Sequence, residues 1–371
     1  MTLLPDIFDV TEPASIKVMV GDDPREIVEL YPVLETVTLE VARSAPGVGK
    51  LVLTAGREPD GSWPVVDGGY FDRWRPIRVL ADFGTYSEDV MWGHVVKVTP
   101  EFPEDRGAAK ITVEVQDQTI VLDREQRTRD WGDSEGAQTL TDKAIVQSIL
   151  TEYAMRLDPL SGVGQTSAVV TQDKTDFAFL KERADAVGYE LRILFGEAYF
   201  GPIRLSGAPQ APLLIYAGPD TNCLSFMVEE EAVTPDEVVT AAIDTAGSGE
   251  SEETILAPGL PILGTEPATG GAASGVPPNR LRMRQEGDVT PDAARMLAQS
   301  RIDEASLSIT AEAVIDSTIY GHVLLPGRLV TVDGVGRKYG GRFYVDAIEH
   351  VFDAAGYTQK ATLLKNGINE G

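Results

Sequence analysis

Apolar and polar side chains alternate with a period of two through much of this chain, the pattern of strands with one buried face. In residues 33–42, Leu34, Val37, Leu39 and Val41 interleave with Glu35, Thr38 and Glu40. Similar short runs at 14–20, 51–54, 78–81, 92–99 and 110–116 predict half a dozen strands with few helix signals. That count argues for a closed barrel or sandwich rather than an open α/β sheet. Residues 56–72, with glycines and prolines around Trp63, read as a long loop. Near the other end, runs at 328–332, 341–351 and 357–364 predict an antiparallel meander with glycine-rich turns at 334–341 and 353–356. The same outline occurs earlier, from Pro76 through Met91-Trp-Gly-His-Val-Val-Lys-Val to Ala109-Lys-Ile-Thr-Val-Glu-Val. In both places a proline leads a strand, a glycine turn follows, and a crossing strand is answered by a returning one. Two similar β-domains in one chain are therefore expected.

The period changes near Asp130. From 139 to 157, Ala144, Ile145, Ile149, Leu150 and Tyr153 fall at helical spacing, with Thr141 as N-cap and Asp158-Pro159 as a stop. A second helix is predicted in 171–188. Asp173 or Thr175 caps it, Phe177, Leu180, Ala184 and Val187 form its apolar stripe, and Gly188 ends it. A hairpin over 190–195 and 197–201, turning near Gly196, completes a small α/β unit. Strand-like patterning then returns at 213–216, 224–230 and 233–244. Residues 245–280 are rich in Gly, Ala, Ser, Thr and Pro, with Glu250, Glu252 and Glu253 clustered, and predict an extended or mobile excursion in which 255–263 packs locally. Thr290 as N-cap and Pro291 at the first helical position open a further helix, followed by a strand at 307–313.

Composition narrows the classes. The 371 residues suffice for two or three domains. No run of about eighteen apolar residues exists, and the N-terminus has neither the basic region nor the apolar core of a secretory signal. The single cysteine, Cys223, cannot form an internal disulfide and fits a reducing place of synthesis. With 58 acidic and 32 basic residues the formal charge is −26, and no dense Lys/Arg block offsets it. Membranes and specific nucleic-acid sites are accordingly not expected partners.

No catalytic, cofactor-binding or metal-ligating residue is assigned. His94, His322 and His350 stand apart in sequence, outside any zinc-like spacing. His94 and His350 hold related places in the two meanders and read as structural residues. Gly47-Val-Gly-Lys and Gly334-Val-Gly lack the spacing of phosphate loops and read as turns. Neighbouring carboxylates such as Asp22-Asp23 are solvated faces, and Cys223 has no basic neighbour to make it a thiolate. Trp63, Trp74, Trp92, Tyr320 and Tyr339 lack basic interleaving and suggest cores or subunit contacts.

Three segments carry a family resemblance. Asp176-Phe-Ala-Phe-Leu-Lys-Glu-Arg-Ala-Asp-Ala-Val-Gly-Tyr-Glu-Leu is similar to a recurrent D-F-x-F-L helix, with Arg183 where an apolar residue is usual. Leu325-Pro-Gly-Arg-Leu-Val-Thr-Val-Asp-Gly-Val-Gly, continuing through Gly341-Arg-Phe-Tyr-Val-Asp-Ala-Ile-Glu-His to Gly356-Tyr-Thr, is similar to a characteristic closing meander. Met91-Trp-Gly-His-Val-Val-Lys-Val is similar to a crossing strand. In this order they resemble the baseplate hub proteins of contractile phage tails and contractile injection systems. The late-control protein D family and the N-terminal part of type VI spike proteins share the pattern.

The resemblance implies a mainly β fold with an α+β insert: two tube-like antiparallel β-barrel domains (1–135 and 216–371, the second with the 245–280 excursion) and a small α/β domain (136–215). It implies a homotrimer whose six barrels match a hexameric tail tube on one face and seat a trimeric spike on the other, among other baseplate subunits. A virion baseplate or injection particle, made in the bacterial cytoplasm, would be its location. The chain ends soon after the second barrel, so the spike is expected to be a separate polypeptide, and the acidity suggests a lumen through which a polyanion slides. No cofactor is implied. Two other readings are a baseplate-associated cell-wall or glycan hydrolase, whose carboxylates could converge from distant positions, and a monomeric carbohydrate-binding double barrel.

Overall fold

The computed structural model of the chain describes residues 14–105, 107–132, 139–242, 252–268, 275, 277–284 and 291–369. The protein is mostly strand. Its first unit contains β1 (Ser15–Val20), β2 (Leu34–Ala42), β3 (Val48–Thr54), β4 (Pro76–Asp82), β5 (Ser87–Glu101) and β6 (Lys110–Asp117). These pair antiparallel in the order β2-β3-β6-β5-β4-β1. Alternation places Val37, Leu39, Val41, Leu51, Leu53, Val113 and Val115 in one buried cluster. Each such side chain contributes about 1.5–3 kcal/mol by leaving water.

The insert follows, with β7 (Gln126–Gly132), α1 (Asp142–Glu152), β8 (Val169–Thr175), α2 (Asp176–Val187), β9 (Glu190–Leu194) and β10 (Glu197–Gly201). Thr141 Oγ1 accepts from Ala144 N at 3.2 Å, and Thr175 Oγ1 from Ala178 N at 3.3 Å, so each helix begins on a threonine cap. Gly188 ends α2 at φ +66°, where an added Cβ would meet the Ser300 side chain at 2.2 Å. Ile145, Ile149, Phe179, Leu180 and Ala184 close a core of their own against β9 and β10. Arg183, out of pattern for an apolar position, donates to the buried Asp142 carboxylate at 2.8 Å and to Gln165 at 2.9 Å.

The last part comprises β11 (Gln210–Leu214), β12 (Cys223–Glu230), β13 (Glu237–Ala242), β14 (Glu252–Leu256), β15 (Arg280–Arg284), α3 (Pro291–Ser306), β16 (Ile309–Asp316), β17 (Leu329–Asp333), β18 (Gly341–Asp353) and β19 (Gly356–Lys365). Six of these strands pair in the order β12-β16-β19-β18-β17-β11. Ranked by position in the chain, both sets read 2-3-6-5-4-1. They differ in one contact, since β1 meets β4 antiparallel and β11 meets β17 parallel. Two bulges coincide: Glu35 in β2 and Leu224 in β12, and Val96 in β5 and Asp346 in β18, are the extra residues, whereas Val90 in β5 and the irregularity of β11 have no counterpart. The two sets join edge to edge where β2 pairs with β18, and with the two-residue strand Arg25–Glu26 on the outer edge of β1 they make one sheet of thirteen strands among the described residues.

Three expectations change. The registers set by the bulges put His94 level with Tyr344 and His350 level with Pro100, so the two histidines are not counterparts. Of the two caps, Thr175 rather than Asp173 opens α2, and residues 169–175 form β8, which pairs with β7 over 126–132, a strand the pattern did not predict. Trp131 and Val170 pack that two-stranded ribbon on the insert's core, but the rest of Gln-Arg-Thr-Arg-Asp-Trp-Gly is polar or glycine, so β7 carries no apolar alternation. Within 245–280, residues 252–256 form β14, antiparallel to β13, which also pairs parallel with β15. Val238 and Leu256 pack there on Ala298 and Ile302 of α3. Thr290 and the remainder of the excursion, residues 245–251, 269–274 and 276, lie outside the described residues.

Candidate assembly surface

The joint between β2 and β18 shows how this sheet seals an edge. Val37, Leu39 and Val41 face Phe352, His350 and Ile348 across it, all buried. Beyond the last pair, Arg43 N donates to the Asp346 carbonyl at 2.9 Å. The Arg43 side chain then turns inward, 8% exposed, and meets three carboxylates. Nε reaches Asp346 Oδ1 at 2.5 Å, Nη1 reaches Glu190 Oε1 at 2.8 Å, and Nη2 bonds Glu304. Tyr344 OH donates to Glu190 Oε2 at 2.8 Å. One guanidinium thus fastens β2 to the insert, α3 and β18. Desolvation pulls its pKa down, but the hydrogen bond to Glu304 and the neighbouring carboxylates outweigh that and hold it above its ordinary value.

Elsewhere comparable edges are open. Among the described residues, β12 pairs only with β16. The inner half of β5 is bordered by β4, but past the backbone bonds of Val95 with Trp74 and Arg75 its outer edge meets no strand among the described residues. Large apolar side chains gather at these two places: Leu224 (61% exposed) and Met227 (50%) on β12, and Phe102 (55%) with Val66 (38%) beside β5. A cavity of about 350 Å³ runs along the β5 edge, lined by Val65, Val66, Phe71, Val98 and Pro100.

The solvent face of the sheet is polar and nearly balanced in charge. Lys50, Lys97, Lys110 and Lys360 share it with Glu40, Glu101, Glu114, Glu229, Glu312 and Glu349. Lys97–Glu114 and Lys360–Glu349 pair across strands at 2.7 Å each. Most of the −26 therefore lies off this face.

The residues weighed for chemistry are dispersed. His350 is buried, shares a 2.9 Å hydrogen bond with Tyr357 OH, and has its pKa pushed down to about 3 by burial. His322 Nδ1 lies 2.9 Å from Glu88 Oε1 near the surface. His94 is half-buried, its pKa lowered first by desolvation and then by Arg124. Cys223 is buried and its thiol is pushed up to about 11 by desolvation. Gly47 lies in the turn from β2 to β3, its N–H bonded to Asp117 at 2.5 Å. Gly334, at φ +94°, leaves β17 so close to Ile215 that a Cβ would sit 1.8 Å from its carbonyl oxygen. Both glycines serve turns. Trp92 and Trp74 lie beneath Arg78 and Arg124 at 3.8 and 4.1 Å. No group of three or more His, Cys, Asp or Glu side chains is placed to hold a metal among the described residues, and no helix there is long and apolar enough to cross a membrane. The Arg43 cluster escaped the sequence reading because its partners are remote in the chain.

Solved structures share this architecture over nearly its full length. The 43 kDa tail protein of prophage MuSo2 from Shewanella oneidensis is 13% identical, with a TM-score of 0.67 over 95% of this chain and 98% of that one. A tail protein from Neisseria meningitidis MC58 is also 13% identical, with a TM-score of 0.65 over 96% and 98%. The E. coli c3393 protein, a component of the type VI secretion system, is 10% identical, with a TM-score of 0.53 over 96% and 77%. The fold is thus that of phage tail proteins and of a type VI secretion component, as the motif order implied. No curated protein matches by sequence. Residues 12–353 match a family model described as the Alg8 N-terminal domain, and the chain belongs to that family.

Proposed function

We propose that the chain is a structural baseplate hub, a homotrimer that adapts a hexameric tail tube to a trimeric spike in a phage tail or contractile injection system. The observation that carries this reading is the repeated 2-3-6-5-4-1 strand order. A repeat within one chain lets three copies present six similar β-units to a sixfold partner and three to a threefold one. In this reading residues 1–135 and 216–371 are the two tube-like barrels and 136–215 the insert between them. The solvent face of the sheet lines the channel, and its near balance of lysine and glutamate gives a polyanion little to adhere to without making the lumen strongly acidic. Tail-protein likeness supports a structural role over a catalytic one, and the buried ionic cluster at the β2–β18 joint ties units together.

The test is co-expression with candidate tube and spike proteins, followed by mass measurement and imaging. A complex holding three copies of the 40.0 kDa chain between a tube ring and a spike is expected. A chain that stays monomeric with both partners present, or that degrades peptidoglycan, would overturn it.

A further inference from the structure

We infer that the open edge of β12 in one copy pairs antiparallel with residues 97–102 of the next copy, the end of β5 and Phe102 just beyond it, in the register that β2 and β18 adopt within each chain. The inference rests on the hub reading above and supplies its subunit joint. Because both sets carry a bulge at the same place in the second and in the fifth strand, the residues beyond those bulges have counterparts in the other set. Counted from the bulges, β12 is the counterpart of β2, and β5 is the counterpart of β18. The chain already joins β2 to β18; the reciprocal pair, β12 and the outer half of β5, are the edges left open.

Transferring the internal register sets Phe226 opposite Phe102, Val228 opposite Pro100 and Glu230 opposite Val98. In the internal joint the corresponding row is Val37, Leu39 and Val41 against Phe352, His350 and Ile348, every one buried. Pairing would further cover the half-buried Phe226 and Val228 and the 55%-exposed Phe102, whose ring rests edge-on against Trp63 at 4.9 Å. The backbone is prepared for it. Glu231 N bonds Ser308 O within the β12–β16 ladder, so by strand alternation the N–H groups of Phe226, Val228 and Glu230 point off the sheet.

Three differences grade this joint below the internal one. Glu230, whose carboxylate is held by Lys338 at 2.7 Å, stands where the buried Val41 does. Pro100 stands where His350 does, so one ladder hydrogen bond is missing, a device that restrains unselective edge pairing. Ala232 and Val96 stand where Arg43 and Asp346 do, so the buried ionic lock is absent. In exchange, Glu231 falls opposite Lys97, a pair of opposite sign. The joint is heterologous, with different edges meeting, so it propagates around a ring and closes after a fixed number of copies.

The test is a Thr99→Cys/Glu229→Cys double variant in the full-length chain, two positions the register sets directly opposite at a non-hydrogen-bonded pair. Oxidation of the purified protein should give covalent dimers and trimers and nothing larger. A Lys97→Cys/Glu229→Cys variant, two residues out of register, should give several-fold less. If the uncrosslinked protein has trimer mass yet the first variant yields only monomers, this joint is wrong while the hub reading stands. Open-ended oligomers would exclude ring closure. Purified chain that neither trimerises nor cross-links overturns the joint, and the hub reading is then decided separately by the tube-and-spike complex.

Discussion

Arg43 joins carboxylates 147, 261 and 303 residues away in the chain, at Glu190, Glu304 and Asp346. Truncating it leaves the buried Glu190 with only the longer contact to Arg192, at 4.0 Å, and the Tyr344 hydroxyl. Arg43→Ala should therefore lose about 3–5 kcal/mol of stability, a loss visible as a lower denaturation midpoint. His350 makes the opposite kind of demand, since burial keeps it neutral. Its folded pKa of about 3 lies below the unfolded value of about 6.5, so the unfolded chain binds the extra proton and stability falls as pH drops from about 6.5 towards 3. His350→Gln should flatten that acid limb by up to about 1.4 kcal/mol per pH unit in urea titrations, and an unchanged slope would refute the assignment. At this scale the sequence was legible where the cause is local. Thr141, Thr175 and Gly188 act within a turn of their own positions. Arg43 was not legible, because nothing near it in sequence hints at its partners, and the role of Arg183 likewise depends on Asp142, 41 residues away.

Elements with one buried face announced themselves, β19 through unbroken alternation and β2 and β18 through alternation interrupted by one bulge each. The β7–β8 ribbon did not, since the face it lays on the insert's core carries only Trp131 and Val170 beside the buried Gln172, too few apolar residues to make a pattern. In hydrogen exchange, the amides of 126–132 and 169–175 should exchange orders of magnitude faster than those of β18 and β19, whose neighbours cover both edges. Equal protection would mean that the ribbon is covered in solution. Alternation also concealed the alignment of the two strand sets. A bulge shifts the pattern by one residue, so matching histidine to histidine by eye paired His94 with His350, although the ladders pair each with another residue. Only hydrogen-bond register recovers the correspondence.

For the whole molecule, the excess of carboxylates opposes bringing copies together. The internal joint is made within one chain and is indifferent to this, but association between chains must work against like charge of −26 on each. Raising salt from about 10 mM to about 300 mM shortens the screening length several-fold. The trimer fraction measured by sedimentation should accordingly rise with salt; a fall would show that local pairs such as Glu231 with Lys97 dominate. The general architecture was legible from the outline of the meanders, whereas the single continuous sheet was not, because its seam unites strands about three hundred residues apart.

One feature of the repeat bears on shape. The link from β12 to β16 spans residues 231–308 and carries, among the described residues, β13, β14, the two-residue strand Glu266–Pro267, β15 and α3, whereas its counterpart from β2 to β3 is the short turn 43–47. The α/β insert likewise sits after the first strand set alone. In a closed ring, the wall would repeat every sixth of a turn while its ornaments recur every third. A ligand touching only the wall would meet a hexagon and one touching the ornaments a triangle, so a change of rotational order would be written into loop lengths rather than into the strands.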